Sequence, residues 1–298
     1  MSASSSKTVL IGNFDGLHLG HQKLIRFAQK ISKESNTQLT LVTFRPHPRK
    51  VLSKDGINLI LPYDEKLKTL KELGIEDVDE IKFDSNISRL SPEEFVKEFL
   101  INRHNPKNIV IGENFRFGFN ATGNVDTLKS FKGSSFEVFS VSIEEISGKR
   151  ISSTLIKNFL LNGDIEKAKE FLGRNYCISG SVIKGEQRGR EIGFPTANLN
   201  TEFEFLPMNG VYVTYIHLGA QKLQGITNIG YRPTFGKKDL LIEAHIFNFD
   251  KSIYNENIII EFVSRIRSEK KFDSVEELIE NIKKDVEHAR SRFKIEDD

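Results

Sequence analysis

Two histidines three residues apart, His18 and His21, lie in the run Gly12-Asn13-Phe14-Asp15-Gly16-Leu17-His18-Leu19-Gly20-His21. Gly12, Gly16 and Gly20 let the backbone approach a ligand closely, and the imidazoles bring N–H donors to the same point. The apolar run 8–12 before it reads as a strand, and 21–35 after it carries Leu24, Ile25, Ala28 and Ile31 at helical spacing. The segment is therefore a strand–loop–helix junction. The positive end of the helix dipole and unpaired N–H groups meet there, a setting suited to phosphate. The pattern is neither G-x-G-x-x-G nor a Walker A loop. A zinc pair is a competing reading of two histidines, but no Cys lies nearby and positive potential disfavours a cation. A glycine turn with ordinary surface histidines is another.

Other segments have similar potential. Ile151-Ser152-Ser153-Thr154 opens a helix with Lys157 one turn in. Hydroxyls, helix N–H groups and a cation converge there, as phosphates require; a plain serine N-cap has the same appearance. Phe44-Arg45-Pro46-His47-Pro48 and Gly112-Glu113-Asn114-Phe115-Arg116-Phe117-Gly118 each follow a strand. The second brings an amide, Asn114, and an aromatic, Phe115, to a sheet edge.

The second half has its own set. Gly185, Gly189 and Gly193 punctuate the charged loop 184–193 and could cradle phosphates, or mark a hairpin tip. Phe194-Pro195-Thr196-Ala197-Asn198 follows. Thr196 and Asn198 share one strand face, and their oxygens suit Mg²⁺; a polar outer face reads the same way. On the strand 241–249, Glu243 shares a face with His245, Phe247 and Phe249. A carboxylate among phenylalanines needs a partner or a task. A general base is one reading, and a surface Glu243–His245 pair the other. Arg265 and Arg267 fall at a strand end.

The elements that must hold these groups follow two regimes. Up to about residue 172, short apolar runs at 8–12, 38–44, 78–83, 108–112 and 136–141 alternate with helical patterns at 21–35, 63–73 and from Ser91, where Ser91-Pro92-Glu93-Glu94 is a capping box. This predicts a parallel sheet covered on both faces. Helices at 153–161 and 164–172 close the half. From Gly173 the pattern is strands only, at 176–184, 196–199, 210–218, 223–229, 241–249 and 257–266. That predicts an antiparallel barrel or sandwich. A helix opened by Ser274-Val275-Glu276-Glu277 ends the chain.

Composition narrows the function. The 298 residues favour two domains. The single Cys177 makes neither an internal disulfide nor a cysteine zinc site, and a cytoplasmic setting is expected. No apolar run spans a bilayer, and the Ser-rich start has no signal-peptide core. Lys and Arg total 43 against 41 Asp and Glu, a net +2. The residues before Arg174 hold 25 basic and 22 acidic side chains, and those from it onward 18 and 19. Neither half has the excess of a nucleic-acid binder. Anionic partners must be held locally.

Taken together, the segments GNFDGLHLGH (12–21), TFRPHP (43–48), GENFRFG (112–118), ISSTLIK (151–157), GREIGFPTANL (189–199), GVYV (210–213), NIGYRPTFG (228–236) and IEAHIFNF (242–249) resemble the bacterial bifunctional riboflavin kinase/FMN adenylyltransferase (FAD synthetase) family. The resemblance covers nearly all of 7–293. It implies an α/β fold: a Rossmann-like nucleotidyltransferase domain over 1–172, then an all-β, barrel-like riboflavin kinase domain over 173–298 ending in a helix. It implies that His18 and His21 are catalytic in adenylyl transfer. Gly12, Phe14, Gly20, Ser152, Ser153, Thr154 and Lys157 would bind ATP there, with Asn114 and Phe115 on the flavin. In the second domain Gly185, Gly189, Gly193 and Pro195 would bind ATP, Thr196 and Asn198 would hold Mg²⁺, Glu243 would be the catalytic base and Arg267 would contact flavin. Riboflavin, FMN, FAD and ATP are the implied substrates and products. No nucleic-acid or membrane partner is expected, and the assembly is expected to be a monomer or weak homo-oligomer. Lys157 stands where the family usually has Arg, which keeps the charge and loses the bidentate fork. A kinase with a weak or inactive adenylyltransferase is thus one alternative, and a flavin-binding sensor without turnover another.

Overall fold

The computed structural model describes residues 6–131, 136–142, 145–234 and 237–297. The chain forms two compact units, Met1–Ser153 and Thr154–Asp298.

The first unit is built on five parallel strands: β1 (Lys7–Ile11), β2 (Gln38–Arg45), β3 (Val78–Lys82), β4 (Pro106–Gly112) and β5 (Glu137–Val141). Their order is β3-β2-β1-β4-β5. The order reverses between β1 and β4, where an open α/β sheet leaves a crevice beyond the strand ends. Both faces are covered, because successive strand residues point opposite ways. Val9 and Ile11 pack with Phe44, Phe95 and Leu100 on one face, while Leu10 packs with Leu24, Ile25 and Leu70 on the other. The helices α1 (Leu19–Glu34) and α2 (Tyr63–Glu72) match their expected periods. The capping box at Ser91 forms as expected: the Glu94 N–H donates to Ser91 Oγ, and Glu94 Oε2 accepts from the Ser91 N–H. The helix it opens is α-helical over Pro92–Phe95, widens to a π-helix over Val96–Ile101 and returns to α-helical over Asn102–His104.

The second unit opens with α3 (Ser153–Leu161) and α4 (Ile165–Leu172). Its strands are β6 (Tyr176–Ile183), β7 (Ala197–Asn200), β8 (Gly210–Leu218), β9 (Gln221–Thr234), β10 (Lys237–Ile246) and β11 (Asn257–Arg267). They close a barrel in the order β8-β9-β10-β7-β6-β11 with antiparallel pairing throughout. The sequence left barrel and sandwich open; closure removes the sheet edges. Tyr176, Tyr212 and Phe262 fill the interior, with rings 5.2 Å and 6.1 Å apart around Phe262. The terminal helix α5 (Val275–Asp297) lays Ile282, Val286, Ala289 and Phe293 against the barrel wall. The compact units divide after Ser153, the first residue of α3, ahead of the change of hydrophobic period at 173, because α4 packs on β6 and β11.

Two local expectations need correction. The strand expected over 241–249 ends at Ile246. Asn248 has φ +53°, so the alternation that put Phe247 and Phe249 beside Glu243 stops there. Phe247 is buried in the core, and Phe249 lines a different cavity from Glu243. The loop 184–193 contains a helical turn, Arg188–Glu191. The Phe14 side chain is fully buried, so a contact of this residue with a ligand would be made by its backbone. Of the segment 228–236, Phe235 and Gly236 lie outside the described residues.

Candidate functional site

In the first unit the candidate site gathers at the carboxyl end of β1. The backbone turns sharply there, with φ +54° at Phe14, +81° at Gly16 and +44° at Leu17. Phe14 and Leu17 drop into the core and anchor the turn. Asp15 is buried, and its Oδ1 accepts from the Ile60 N–H at 2.8 Å. Its carboxylate therefore shapes the turn. A Cβ on Gly16 would stand 2.8 Å from Ile60 Cδ1. Gly16→Ala combines that clash with a left-handed backbone, so it should lower the stability of this unit by about 1–3 kcal/mol, read as an earlier urea midpoint.

His18 caps α1, its Nδ1 accepting from the His21 N–H at 3.3 Å. That bond leaves the neutral ring's proton on Nε2, the donor arrangement a phosphate oxygen needs. The His21 ring stacks on His18, with centroids 3.7 Å apart and planes at 15°, and the Phe14 ring supports it at 5.2 Å. The first turn of α1, which holds Gly20, carries no acidic residue, so no carboxylate within that turn opposes the dipole's positive end. Gly12 lies under the Phe14 ring, 3.1 Å from where its Cβ would be.

The serine motif reaches the same loop. Ser153 Oγ donates to the Asp15 carbonyl at 2.8 Å. Ser152 precedes α3 and Thr154 is exposed in its first turn. Lys157 stands one turn along, its ammonium over the Phe205 ring at 5.8 Å. At the end of β4, Asn114 is exposed and its amide lies against the Arg150 guanidinium. Arg150 also pairs with Glu113 at 2.9 Å. Phe115 is half-buried and stacks on Phe117, a packing role as much as a surface one.

In the barrel, register assembles the second site. Glu243 on β10 is directly opposite Asn198 on β7 and opposite Asn228 on β9. Side chains in one cross-strand row share a face, so the carboxylate is flanked by two amides. Asn228 was not singled out from the sequence; it lay in a quoted segment, but only the pairing reveals its place. Gly185 lies against Asn198, since a Cβ there would come 2.3 Å from the amide nitrogen. Gly189 lies as closely against the Phe194 carbonyl, at 2.4 Å. These glycines let the loop close over the row. Gly193 has φ +85° with open space around it, so its need is conformational.

Two cavities of about 320 and 330 Å³ share Thr196 and Gln187, and Glu243 and Asn228 line the second. One is bordered by Arg190, Pro195, Phe249, Lys251 and Tyr254. The other is bordered by Phe194, Asn228, Glu243, His245, Arg267 and Ile282. His245 Nδ1 donates to the Pro195 carbonyl at 2.8 Å and its ring meets Phe194 edge-on. Burial pushes its pKa below the ordinary histidine value, with Arg290 adding to the effect, so the ring stays neutral. Arg267 reaches Asp285 of α5 through Nε and Nη2, at 3.0 and 2.8 Å. Its guanidinium thus ties α5 to the cavity wall, a partner that the sequence did not reveal.

Comparison with known proteins agrees with this division. A family model described as FAD synthetase matches residues 1–155, and one described as riboflavin kinase matches 172–293. Curated proteins named bifunctional riboflavin kinase/FMN adenylyltransferase are similar over nearly the whole length. That of Bacillus subtilis is 38% identical over 97% of this chain and 93% of its own, and that of Buchnera aphidicola from Schizaphis graminum 39% over 98% and 96%. The Escherichia coli K12 protein is 33% identical over 95% and 91%. A crystal structure described as a macrolide-efflux protein from Streptococcus pneumoniae superposes with a TM-score of 0.90, at 33% identity over 97% of this chain and 95% of that one. Among the described residues no helix is long and apolar enough to cross a membrane. A strand–loop–helix junction with paired imidazoles, a closed barrel with a carboxylate between two amides, and full-length similarity at this level converge: the chain belongs to the bifunctional riboflavin kinase/FMN adenylyltransferase family.

Proposed function

We propose that the chain makes FAD from riboflavin in two steps, one in each unit. The observation that carries this reading is that the cavity lined by Glu243 and Asn228 shares Thr196 and Gln187 with a second cavity. In-line phosphoryl transfer needs a donor nucleotide and an acceptor alcohol on opposite sides of one phosphorus.

In the barrel, ATP occupies the cavity bordered by Arg190 and Tyr254, and riboflavin the one bordered by Phe194 and Ile282. Glu243 accepts the proton of the riboflavin 5′-hydroxyl as that oxygen attacks the γ-phosphorus. The bond to the β-phosphate oxygen breaks, giving FMN and ADP. The hydroxyl of Thr196 and the amide oxygen of Asn198 are hard donors that fit Mg²⁺, which takes few protein ligands beside phosphate oxygens. Bound there, Mg²⁺ would neutralise charge on the transferring phosphate. Gly185, Gly189, Gly193 and Pro195 shape the loop over the nucleotide. Arg267, held by Asp285, borders the flavin.

In the first unit the FMN phosphate attacks the α-phosphorus of ATP and pyrophosphate leaves. The protein supplies no nucleophile. His18, His21 and the start of α1 hold the phosphates and stabilise charge on their oxygens. Ser152 and Ser153, whose Oγ reaches the Asp15 carbonyl, add donors, and Asn114 contacts the flavin. A near-neutral chain with one cysteine fits a small-molecule enzyme of a reducing compartment.

Supplying FMN and ATP and measuring pyrophosphate tests the second step. Pyrophosphate equal to the FAD formed supports it. FMN left unconverted by a chain that still phosphorylates riboflavin would mean that the first unit is inactive. Tightly held flavin with no ATP consumed in either assay would mean a sensor.

A further inference from the structure

Lys66 has no part in the chemistry described above, yet it lies under the first unit's loop. It occupies the first turns of α2, and it is 4% exposed. Its neighbour on the same helical face, Leu70, is fully buried. An apolar residue at 66 would continue that face at no electrostatic cost, whereas a buried ammonium is costly unless paired.

The pairing runs toward the loop. Lys66 Nζ donates to Thr43 Oγ1 at 3.2 Å. Thr43 is itself fully buried and donates from the same oxygen to the Asn13 carbonyl at 3.3 Å. Asn13 begins the turn that carries Asp15, Gly16 and His18. Around the ammonium are Glu80 of β3, with Oε1 at 4.0 Å, the Tyr63 ring of α2 at 5.4 Å, the carboxylate of Asp15 from the loop, and the guanidinium of Arg45 from β2. Arg45 is in turn held by Asp64 and Glu80.

Asp15 is what makes this arrangement informative. Its carboxylate fixes the turn through Ile60, but its negative charge lies below a loop that must accept a polyphosphate. We propose that Lys66 is a positioning residue for adenylyl transfer: through Thr43 it holds Asn13 and the loop in register, and its charge offsets that of Asp15 beneath the phosphates. The inference rests on the reading of that loop as the ATP site. Lys66 touches no substrate and acts through Thr43, Asn13 and Asp15.

Burial, opposed by Glu80 and Asp15 and helped by Arg45, pushes the Lys66 pKa down to about 8. The ammonium therefore loses its proton in a range where a surface lysine keeps it. Because the folded pKa lies below the ordinary value, deprotonation does not loosen the fold. Above about 8 the folded unit binds fewer protons than the unfolded chain, so its stability rises with pH through that window. A fall in adenylyl transfer over the same window would then reflect lost charge and positioning in an intact unit.

The test measures FMN-to-FAD conversion and riboflavin phosphorylation against pH in the full chain, for wild type, Lys66→Met, Lys66→Arg and His18→Ala. In wild type, FAD formation is expected to fall as pH rises through about 8, while riboflavin phosphorylation lacks that limb. Lys66→Met should reduce FAD formation about tenfold or more at neutral pH and abolish the limb, with a melting temperature no lower than wild type. Lys66→Arg should restore activity and carry it past the limb. A wild-type FAD profile without the limb overturns the proposal, and needs no variant to fold. So does a folded Lys66→Met with wild-type rate and limb. His18→Ala separates the two levels: an inactive His18→Ala beside a normal Lys66→Met defeats the role of Lys66 alone, whereas an active His18→Ala defeats the reading of the loop.

Discussion

Glu243→Gln should stop FMN formation and leave FMN adenylylation intact. The substitution keeps volume and shape between Asn198 and Asn228, so the barrel should still close. It removes the group that accepts the 5′-hydroxyl proton. General-base catalysis typically contributes ~10²–10⁴-fold, so riboflavin phosphorylation should fall by at least ~10²-fold. FMN supplied directly should still become FAD at the wild-type rate, because the His18 loop belongs to the other compact unit. A variant that melts as wild type yet loses both activities would contradict separate sites. One that keeps phosphorylating riboflavin would remove Glu243 from the chemistry.

His18→Ala should give the mirror image: FMN accumulates and FAD does not. The side chain caps α1 through Nδ1, at the carboxyl end of β1. Removing one donor aimed at developing charge typically costs ~10²–10³-fold in rate. Loss of the cap adds about 1 kcal/mol of instability, a cost of the order seen for other N-caps. Comparing His18→Ala with His18→Asn separates the two effects. Asn restores the cap acceptor, so stability should recover while FAD formation stays low. Unchanged FAD output in His18→Ala would remove the phosphate-holding role. His21→Ala should behave alike through loss of the stacked partner at 3.7 Å.

The sequence made the scaffold legible because hydrophobic period is a local property. Apolar runs and helical stripes located all five strands of the first sheet and all six of the barrel, and the change of period marked where strands take over. The glycine–histidine loop was legible for the same reason, since its strand, turn and helix are contiguous. Pairing across the barrel was not. That Glu243 stands between Asn198 and Asn228 depends on registers set by strands distant in the chain. Nor was burial inside a turn. Phe14 sits among glycines, and only its left-handed φ shows that the side chain turns into the core. Phe249 was misplaced because a positive φ at Asn248 broke the alternation. Lys66 did have a signal. It precedes Leu70 by four residues, on the face a helix buries, and a lysine at a core position is the local inconsistency that marks a functional constraint.

The central claim is that one chain carries both steps in separate sites. Riboflavin incubated with Mg-ATP, with flavins separated and identified by fluorescence over time, tests it most directly. FMN should appear first and FAD follow from it, with ADP formed in the first step and pyrophosphate in the second. FAD formation should stop in His18→Ala and FMN formation in Glu243→Gln. An equal mixture of those two variants, each inactive for the full conversion, should regain FAD synthesis from riboflavin as FMN passes between chains. Failure of the mixture to make FAD, with each variant still active in its own remaining step, would contradict the account.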